Sequence, residues 1–447
     1  MKKQTLFALA ALGVLGIIAW QTPAILKAIP SRYVARLPEP IQALGVREHV
    51  AALPTVAVVV GAADLLVTTP SKDNATLEAL PPPPTFTPAP TTQTTATPEP
   101  TLTPLATPTA APTATAAATA APSQARIAPV YHQFQDWNNC GPATLAMALS
   151  YFGIGVSQYD VANVVKPNQE DRNVSPEEMA AYVNNQTDVA ALTRTNGTLD
   201  QLRRFIAAGM PVIIELGLDP PGEYAWMEWY GHYLLVVAYD DALSQVWVYD
   251  SWLGTGETPA ENTDSQGRVV PYEVLETYWR HFNNNYIVLY EPEQAAEVAH
   301  IVGPNMDDQT MWAGALATVQ ALVAADPENA YLWFNLGTVY NALGEYERAA
   351  TAFDQARNIG LPWRMLWYQF GPYEAYYQVG RYLDVILLAD ITLQDRPYFE
   401  EAFYYKALAQ VALGQTDAAR QNLEQAVDFN PNFEPAQLAL SQLTSGN

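Results

Sequence analysis

The sequence predicts two folded units of different class, an α+β domain followed by an all-α solenoid of short helical repeats, and three observations support this. Amphipathic helix signals crowd residues 142–208 and give way to β-branched and aromatic runs over 211–292, the order of an α+β domain. Beyond residue 330, small residues and glycines recur at a spacing of 34 to 36 residues, the mark of stacked helical units. Ahead of both lies a tract, 80–123, that is nearly all Pro, Thr and Ala and has no apolar period from which to build a core. The expected organisation is an N-terminal transmembrane helix over 1–26, a membrane-proximal segment over 27–79, a disordered Pro/Thr-rich linker over 80–124, the α+β domain over 125–295 and the solenoid over 305–447.

The N-terminus opens with Met1-Lys2-Lys3, and the run from Leu6 to Trp20 carries no charge. That is a signal peptide or signal anchor. The apolar stretch extends to Leu26 at the expense of Gln21 and Pro23, which approaches the ~20 residues a spanning helix needs. No small-x-small cleavage site follows Trp20, so an uncleaved, single-pass anchor is expected, with secretion as the outcome if the segment is cut. The two lysines stay inside, which sends the rest of the chain out of the cytoplasm. Composition agrees: 46 acidic against 22 basic residues give a net charge of -24, which repels nucleic acid and anionic headgroups and excludes nucleic acid as a partner.

Extended polyproline at ~3 Å per residue would let the roughly 45 residues of the Pro/Thr tract hold a domain on the order of 130 Å from the membrane. Its threonines suit O-glycosylation on composition alone. Before it, the apolar TVAVVVGAADLLV is too short to span a bilayer and reads as a strand or a packed stub.

Within the α+β domain, Pro142 in a first turn, the stripe Leu145, Met147, Ala148, Leu149, Phe152 and a stop at Gly153 predict a helix over 142–152. Capping boxes at Ser175/Glu178 and Thr198/Gln201 open two more helices. Strands are expected at 211–216, 232–240, 245–252 and 285–292, paired antiparallel, with DDALSQ as the turn of a hairpin between the second and third.

This order seats Cys140, the only cysteine of the chain, at a helix start, where unpaired N–H groups and the helix dipole favour a thiolate. A nucleophile of this kind needs a base and a group to orient the base. Of the five histidines, His232 alone follows a glycine and opens an apolar strand, and Asp250 closes the next strand of the hairpin. Gln135, five residues before the cysteine, is the candidate side-chain donor for an oxyanion, beside the backbone N–H of Cys140. Singly, each has a plain structural alternative, a small buried hydrophobe, a strand histidine and a turn aspartate. Their conjunction points to chemistry. No cofactor and no metal is implied.

The segments QDWNNCGPATLAMAL, GHYLLVVAYDD and VYDSWLG, spread over roughly Ile127 to Pro292, resemble the papain-like double-glycine (bacteriocin-processing) cysteine peptidases, in their stand-alone extracytoplasmic branch. The resemblance implies a papain-like fold and peptide-bond hydrolysis, with Cys140 attacking, His232 as general base, Asp250 orienting it and Gln135 as oxyanion donor. Transglutaminase-like enzymes share the order Cys, His, Asp, but the CGPA helix start with an upstream Gln fits the peptidases better. Exporter-linked members commonly place Asp directly before the cysteine, where this chain has Asn139, and run on into a membrane transporter domain with no counterpart pattern here. What carries over is the chemistry, not specificity for double-glycine leaders. The loop DPPGEYAWMEWYG, 219–231, reads equally as an acidic aromatic wall of a substrate groove and as a surface loop packed on its own aromatics.

In the last third, Trp333, Leu336, Gly337, Tyr340, Gly344, Ala349, Phe353 and Ala356 fall at tetratricopeptide offsets, Gly380 and Gly414 repeat the position of Gly344, and Ala407, Ala419, Leu423, Ala426 and Pro431 continue the register. A weaker unit ends at Asp326-Pro327. Such a solenoid holds a peptide or protein or caps its neighbour. Tyr373, Tyr376, Tyr377, Tyr404 and Tyr405 exceed what the repeat needs for packing and are expected in part at the surface, as binding groups. The expected function is a membrane-anchored extracytoplasmic cysteine peptidase acting on a protein or peptide substrate, with a possible protein partner on the repeats. The competing reading is a non-catalytic envelope binding or scaffold protein built on a retired peptidase fold.

Overall fold

The computed structural model describes residues 52–56, 65, 121–219, 228–256 and 266–445. The N-terminal helix and the Pro/Thr linker expected from the sequence lie outside these residues. Among the described residues no helix is long and apolar enough to cross a membrane.

The α+β domain begins with strand β1, Gln124–Arg126, and then places three helices in succession: α1, Cys140–Ser150; α2, Gln158–Val165; and α3, Pro176–Gln186. Ser157 with Asp160 and Ser175 with Glu178 form reciprocal capping boxes that start α2 and α3, so the first orphan N–H groups of each helix are satisfied locally. Strand β2, Ala190–Arg194, leads to α4, Leu199–Ala207, which is opened by the Thr198/Gln201 box. Strands β3, Val212–Leu218, β4, Tyr230–Asp240, and β5, Gln245–Asp250, then run consecutively, followed by β6, Arg268–Pro271, helix α5, Tyr272–Trp279, and β7, Tyr286–Tyr290.

All seven strands form one antiparallel sheet in the order β2-β7-β3-β4-β5-β6, with β1 added alongside the end of β4. The hairpin β4–β5 is the central feature. Val212 to Leu216 and Leu234 to Ala238 are buried almost without exception, because these strands are covered on both faces and read as continuous apolar runs. Helix α1 packs against β3 and β4 with every residue from Gly141 to Leu149 buried, and Thr144 Oγ1 donates to the Tyr233 carbonyl at 3.3 Å to tie helix to strand.

After α6, Ala295–Val302, and α7, Asp308–Ala325, the chain is a stack of helix pairs: α8, Ala330–Ala342, with α9, Tyr346–Ile359; α10, Gly371–Gln378, with α11, Tyr382–Asp395; α12, Glu400–Ala412, with α13, Thr416–Phe429; and a closing helix α14, Glu434–Ser445. Gly344, Gly380 and Gly414 each turn one helix into the next at φ 75°, a left-handed conformation that suits glycine, which is why these positions recur. Gly337 serves differently: a Cβ there would lie 2.6 Å from the Phe353 ring, so its absence lets α8 and α9 touch.

One expectation is corrected. Tyr373 and Tyr376 have no exposed surface and Tyr404 is 6% exposed, while Tyr377 and Tyr405 pack against the same core. The middle pair is degenerate: a 3-10 turn, Trp363–Trp367, and the short α10 replace a full first helix, and the tyrosine rings fill the space that leaves. Their hydroxyls are consumed inside, Tyr373 with Thr392 Oγ1 at 2.9 Å and Tyr376 on Asp354 Oδ1 at 2.8 Å. The segment ahead of the Pro/Thr tract also reaches the folded body. Leu53 N donates to Leu361 O at 3.0 Å, Arg357 Nε to Pro54 O at 2.8 Å and Val56 N to Asn358 Oδ1 at 2.6 Å, while Leu65 O accepts from Gln320 Nε2 and the Tyr340 hydroxyl. Leu53 and Leu65 are buried in the solenoid core. The chain therefore meets the folded body before the Pro/Thr tract, at 52–56 and Leu65, and again after it, at β1.

Candidate active site

The loop 127–139 delivers Cys140 to its place, and the sequence of that loop is occupied with holding it still. Gln158, at the start of α2, accepts from Asp136 N at 2.6 Å and from Asn139 Nδ2 at 3.2 Å, and its own Nε2 donates to Phe134 O at 2.8 Å. Lys166, 2% exposed at the end of α2, donates to Asn138 O at 3.2 Å and to Asn139 Oδ1 at 3.3 Å. Asn139 is thus the N-cap residue of α1 and is used for position, with its amide divided between Gln158 and Lys166. Cys140 follows as the first helical residue, partly exposed.

His232 and Asp250 come together through the β4–β5 register. Leu234 and Asp250 are direct cross-strand partners, so His232, two residues before Leu234 on the same face, is the diagonal neighbour of Asp250. His232 Nε2 lies 2.9 Å from Asp250 Oδ1, and the two residues are 2% and 4% exposed. The same carboxylate oxygen accepts from Trp252 N at 2.7 Å and Leu253 N at 2.9 Å. Burial raises the Asp250 carboxyl, but the His232 charge and these hydrogen bonds outweigh it and hold the group below its ordinary value.

With Nε2 engaged by Asp250, the other ring nitrogen serves the hydrogen bond to the Cys140 thiol. Burial pushes that thiol up, and the hydrogen bond and charge of His232, with the backbone N–H groups of Tyr233 and Gly141, pull it below its ordinary value. For His232, burial lowers the imidazole, while the Asp250 charge and hydrogen bond and then Cys140 raise it to about 10. Thiolate and imidazolium therefore stabilise each other between a depressed thiol pKa and about 10.

Gln135 lies beside the end of β5. Its backbone N–H donates to Ser251 O and its Oε1 accepts from Ser251 Oγ, both at 2.8 Å, and among the described residues its Nε2 has no partner. The amide is thereby oriented with its two N–H donors free. All four sequence-derived residues thus converge on the start of α1 and the adjoining ends of β4 and β5.

Several members of the site escaped the sequence. His132 Nε2 donates to the Asp250 carbonyl at 2.7 Å, with its ring edge-on to Phe134 and Tyr249. Ser251 orients Gln135, and only its place next to Asp250 could have suggested it. Glu215, on β3 opposite Tyr233, is 4% exposed and hydrogen-bonded to Asn285 Nδ2 at 2.8 Å, and burial first of all raises its carboxyl well above the usual carboxylate range. Among the described residues no group of His, Cys, Asp and Glu is arranged to hold a metal ion.

The repeat domain reaches this site. Trp229, 4% exposed, stacks on Phe282 at 6.0 Å and contacts Tyr331 and Tyr368 of the repeats. Gly231, next to His232, is pressed so closely that a Cβ would stand 3.1 Å from Tyr368. Residues 220–227, most of the loop read as a groove wall or a self-packed loop, lie outside the described residues. Its end, Glu228 and Trp229, packs at the junction with the repeats, with Glu228 accepting from Trp363 Nε1 at 3.2 Å.

The model of the Peptidase_C39 like family matches residues 127–287, and tetratricopeptide repeat models match 319–351 and 401–432. The chain carries a C39-like peptidase domain followed by two tetratricopeptide repeats. Among solved structures it is similar to one from Bacillus anthracis described as a C39-like peptidase, at 19% identity over 38% of this chain and 98% of that one, with a TM-score of 0.29. It is also similar to MamA from Desulfovibrio magneticus RS-1, at 15% identity over 34% and 82% of the two chains with a TM-score of 0.28. The first tetratricopeptide domain of Spaghetti, bound to an HSP90 peptide, is a third, at 16% identity over 27% and 94% with a TM-score of 0.25. No curated protein matches the chain significantly.

Proposed function

We propose that this chain, with its C39-like domain and tetratricopeptide repeats, is a cysteine peptidase that hydrolyses peptide bonds at Cys140. The observation that carries the reading is a thiol at a helix start, held below its ordinary pKa in hydrogen bond with His232, whose other nitrogen is 2.9 Å from the buried Asp250. The thiolate attacks the scissile carbonyl carbon and the carbonyl π electrons move to oxygen. Gln135 Nε2 and the N–H at the helix start receive that oxyanion. His232 gives its proton to the leaving amine as the C–N bond breaks, leaving a thioester on Cys140. Water then attacks the thioester, His232 takes its proton, and collapse expels the thiolate with the carboxylic acid product. Asp250 holds the imidazole in orientation and sustains its charge throughout.

We place the catalytic and repeat domains outside the cytoplasm on a single-pass anchor, supported by Lys2, Lys3 and the uncharged run Leu6 to Trp20. Rate of alkylation by iodoacetamide against pH tests the site. Cys140 should react at near-neutral pH faster than a free thiol. His232→Ala should slow both alkylation and peptide cleavage, the latter by about 10²–10⁴-fold as for loss of a general acid and base, and Cys140→Ala should abolish cleavage. A Cys140 that reacts only after denaturation is a core residue, and the enzyme reading then fails.

A further inference from the structure

The junction between the two domains contains a half-buried guanidinium that, among the described residues, has no hydrogen-bond partner. Arg172, in the turn between α2 and α3, lies with its Cζ 5.0 Å from the centre of the Trp137 ring and 4.9 Å from that of Trp367. Two more guanidiniums share the Trp367 ring, Arg364 at 5.4 Å and Arg396 at 5.2 Å. Arg364 donates to Trp229 O at 3.3 Å and lies 3.7 Å from Glu228 Oε2, and Arg396 pairs with Asp395 at 2.9 Å. Arg172 makes no hydrogen bond or ion pair among the described residues, and its Nε and the indole N–H groups of Trp137 and Trp367 are buried without partners. Burial, with the neighbouring Arg396 and Arg364, lowers the Arg172 guanidinium to about 10 against the opposing pull of Tyr398 and Tyr368.

Stacking on indoles uses the faces of a guanidinium and leaves its edge, the planar fork of N–H donors, unused. The partner that fits such an edge is a planar anion accepting two parallel hydrogen bonds. The place is also specific. Trp137 stands three residues before Cys140, and the Tyr368 hydroxyl feels the charges of Arg172, Cys140 and Arg364 together. In a chain of net charge -24, Arg364 and Arg396 each have a carboxylate neighbour, and among the described residues Arg172 is the guanidinium of the three that has none.

We propose that Arg172, with Arg364 and Arg396, forms a subsite beside Cys140 that binds a carboxylate of the peptide substrate, either an acidic side chain or the chain's C-terminal carboxylate. The choice of a peptide carboxylate rests on the peptidase reading. One guanidinium comes from the C39-like domain and two from the repeats, so the subsite exists only where the domains are docked, and selection of substrate is a joint property of both.

Binding to the full chain in detergent, carrying Cys140→Ala, tests this without requiring turnover. The probes are N-terminally blocked alanine-serine octapeptides: one set with a glutamate walked through the eight positions and an amidated C-terminus, its glutamine counterparts, and a neutral octapeptide with free or amidated C-terminus. At least one carboxylate-bearing probe should bind about tenfold more tightly than its neutral partner, as for a hydrogen bond to a charged group, and the set that shows it distinguishes side chain from terminus. The preference should fade in 0.5 M salt, vanish in Arg172→Gln and persist in part in Arg172→Lys. Equal affinities across all pairs, no measurable binding of any probe, or a preference that survives Arg172→Gln overturns the subsite. Should Arg172→Gln fail to fold, the paired peptides and their salt dependence on the Arg172 chain still decide. Because Cys140 is absent from this assay, a loss of the peptidase reading appears only in cleavage and a loss of the subsite only here.

Discussion

His232 and His281 are both buried, 2% and 9% exposed, and burial pushes both imidazoles toward the neutral form. Their outcomes are opposite. His232, with the Asp250 carboxylate at 2.9 Å and the Cys140 thiol on its other side, is raised to about 10. His281 sits in the seam between the domains, its Nδ1 accepting from Trp229 Nε1 at 3.1 Å and its ring stacked 3.7 Å from that of Tyr331, with no carboxylate in contact among the described residues, and it falls to about 4. The comparison separates two uses of one side chain: a buried histidine given a carboxylate becomes a stored proton, and one given indole and phenol rings becomes neutral packing.

Asp250→Asn should break the first half of that comparison. Removing the charge lets burial pull the His232 imidazole down, so the alkaline limb of the pH–rate profile for cleavage should move to lower pH. The thiol loses its imidazolium partner over the same range, so the acid limb should move up. The active window narrows from both sides and the neutral rate should fall by about 10²-fold or more. A profile with unchanged limbs would show that Asp250 does not sustain the imidazolium.

The second half is sharpened by a stability measurement. His281 has a folded pKa below the unfolded value of 6.5, so its neutral form contributes fully above about 6.5, and that contribution is lost as pH falls toward 4. The full shift corresponds to about 3 kcal/mol. Urea midpoints for the chain and for His281→Gln should therefore converge as pH falls from 7 to 4. A difference that is independent of pH would mean that the ring does not stay neutral in the seam.

What was legible in the sequence divides along the same line. The hairpin that joins His232 to Asp250 could be read because its two apolar runs and the DDALSQ turn are local, and a turn of known length sets the register that makes the two residues neighbours. Cys140 could be placed because Pro142 and Gly153 punctuate its helix. His132 could not, since its contact with the Asp250 carbonyl spans 118 residues and has no periodic signature. Strands β1, β2 and β6 are three to five residues long and too short to show alternation. Tyr373 and Tyr376 looked superfluous only against a full-length repeat, and the short α10 that needs them follows a Trp-rich turn that no repeat pattern anticipates. The docking of Arg364 and Trp367 against Trp137 and Arg172 is likewise a matter of where one domain meets another.

The smallest expected effect is the most direct test of the seam's far side. Exposed Pro/Thr sequence is open to external protease, and a free spacer, once cut, would release the body from the membrane. Here Leu53 and Leu65 are buried in the solenoid, and four backbone groups of 53–65 hydrogen-bond to Leu361, Arg357, Asn358 and Gln320 or Tyr340. Each buried leucine contributes about 1.5–3 kcal/mol, and the contact is made by residues on the side of the cut that carries the proposed anchor. Limited proteolysis within 80–120, verified by mass, should therefore leave the nicked body in the membrane pellet with its cleavage rate unchanged, whereas the same nick in Leu53→Asp/Leu65→Asp should send it to the supernatant. Release of the nicked body from the unmutated chain would show that segment 52–65 does not hold it, and finding the uncut chain already in the supernatant would instead remove the anchor.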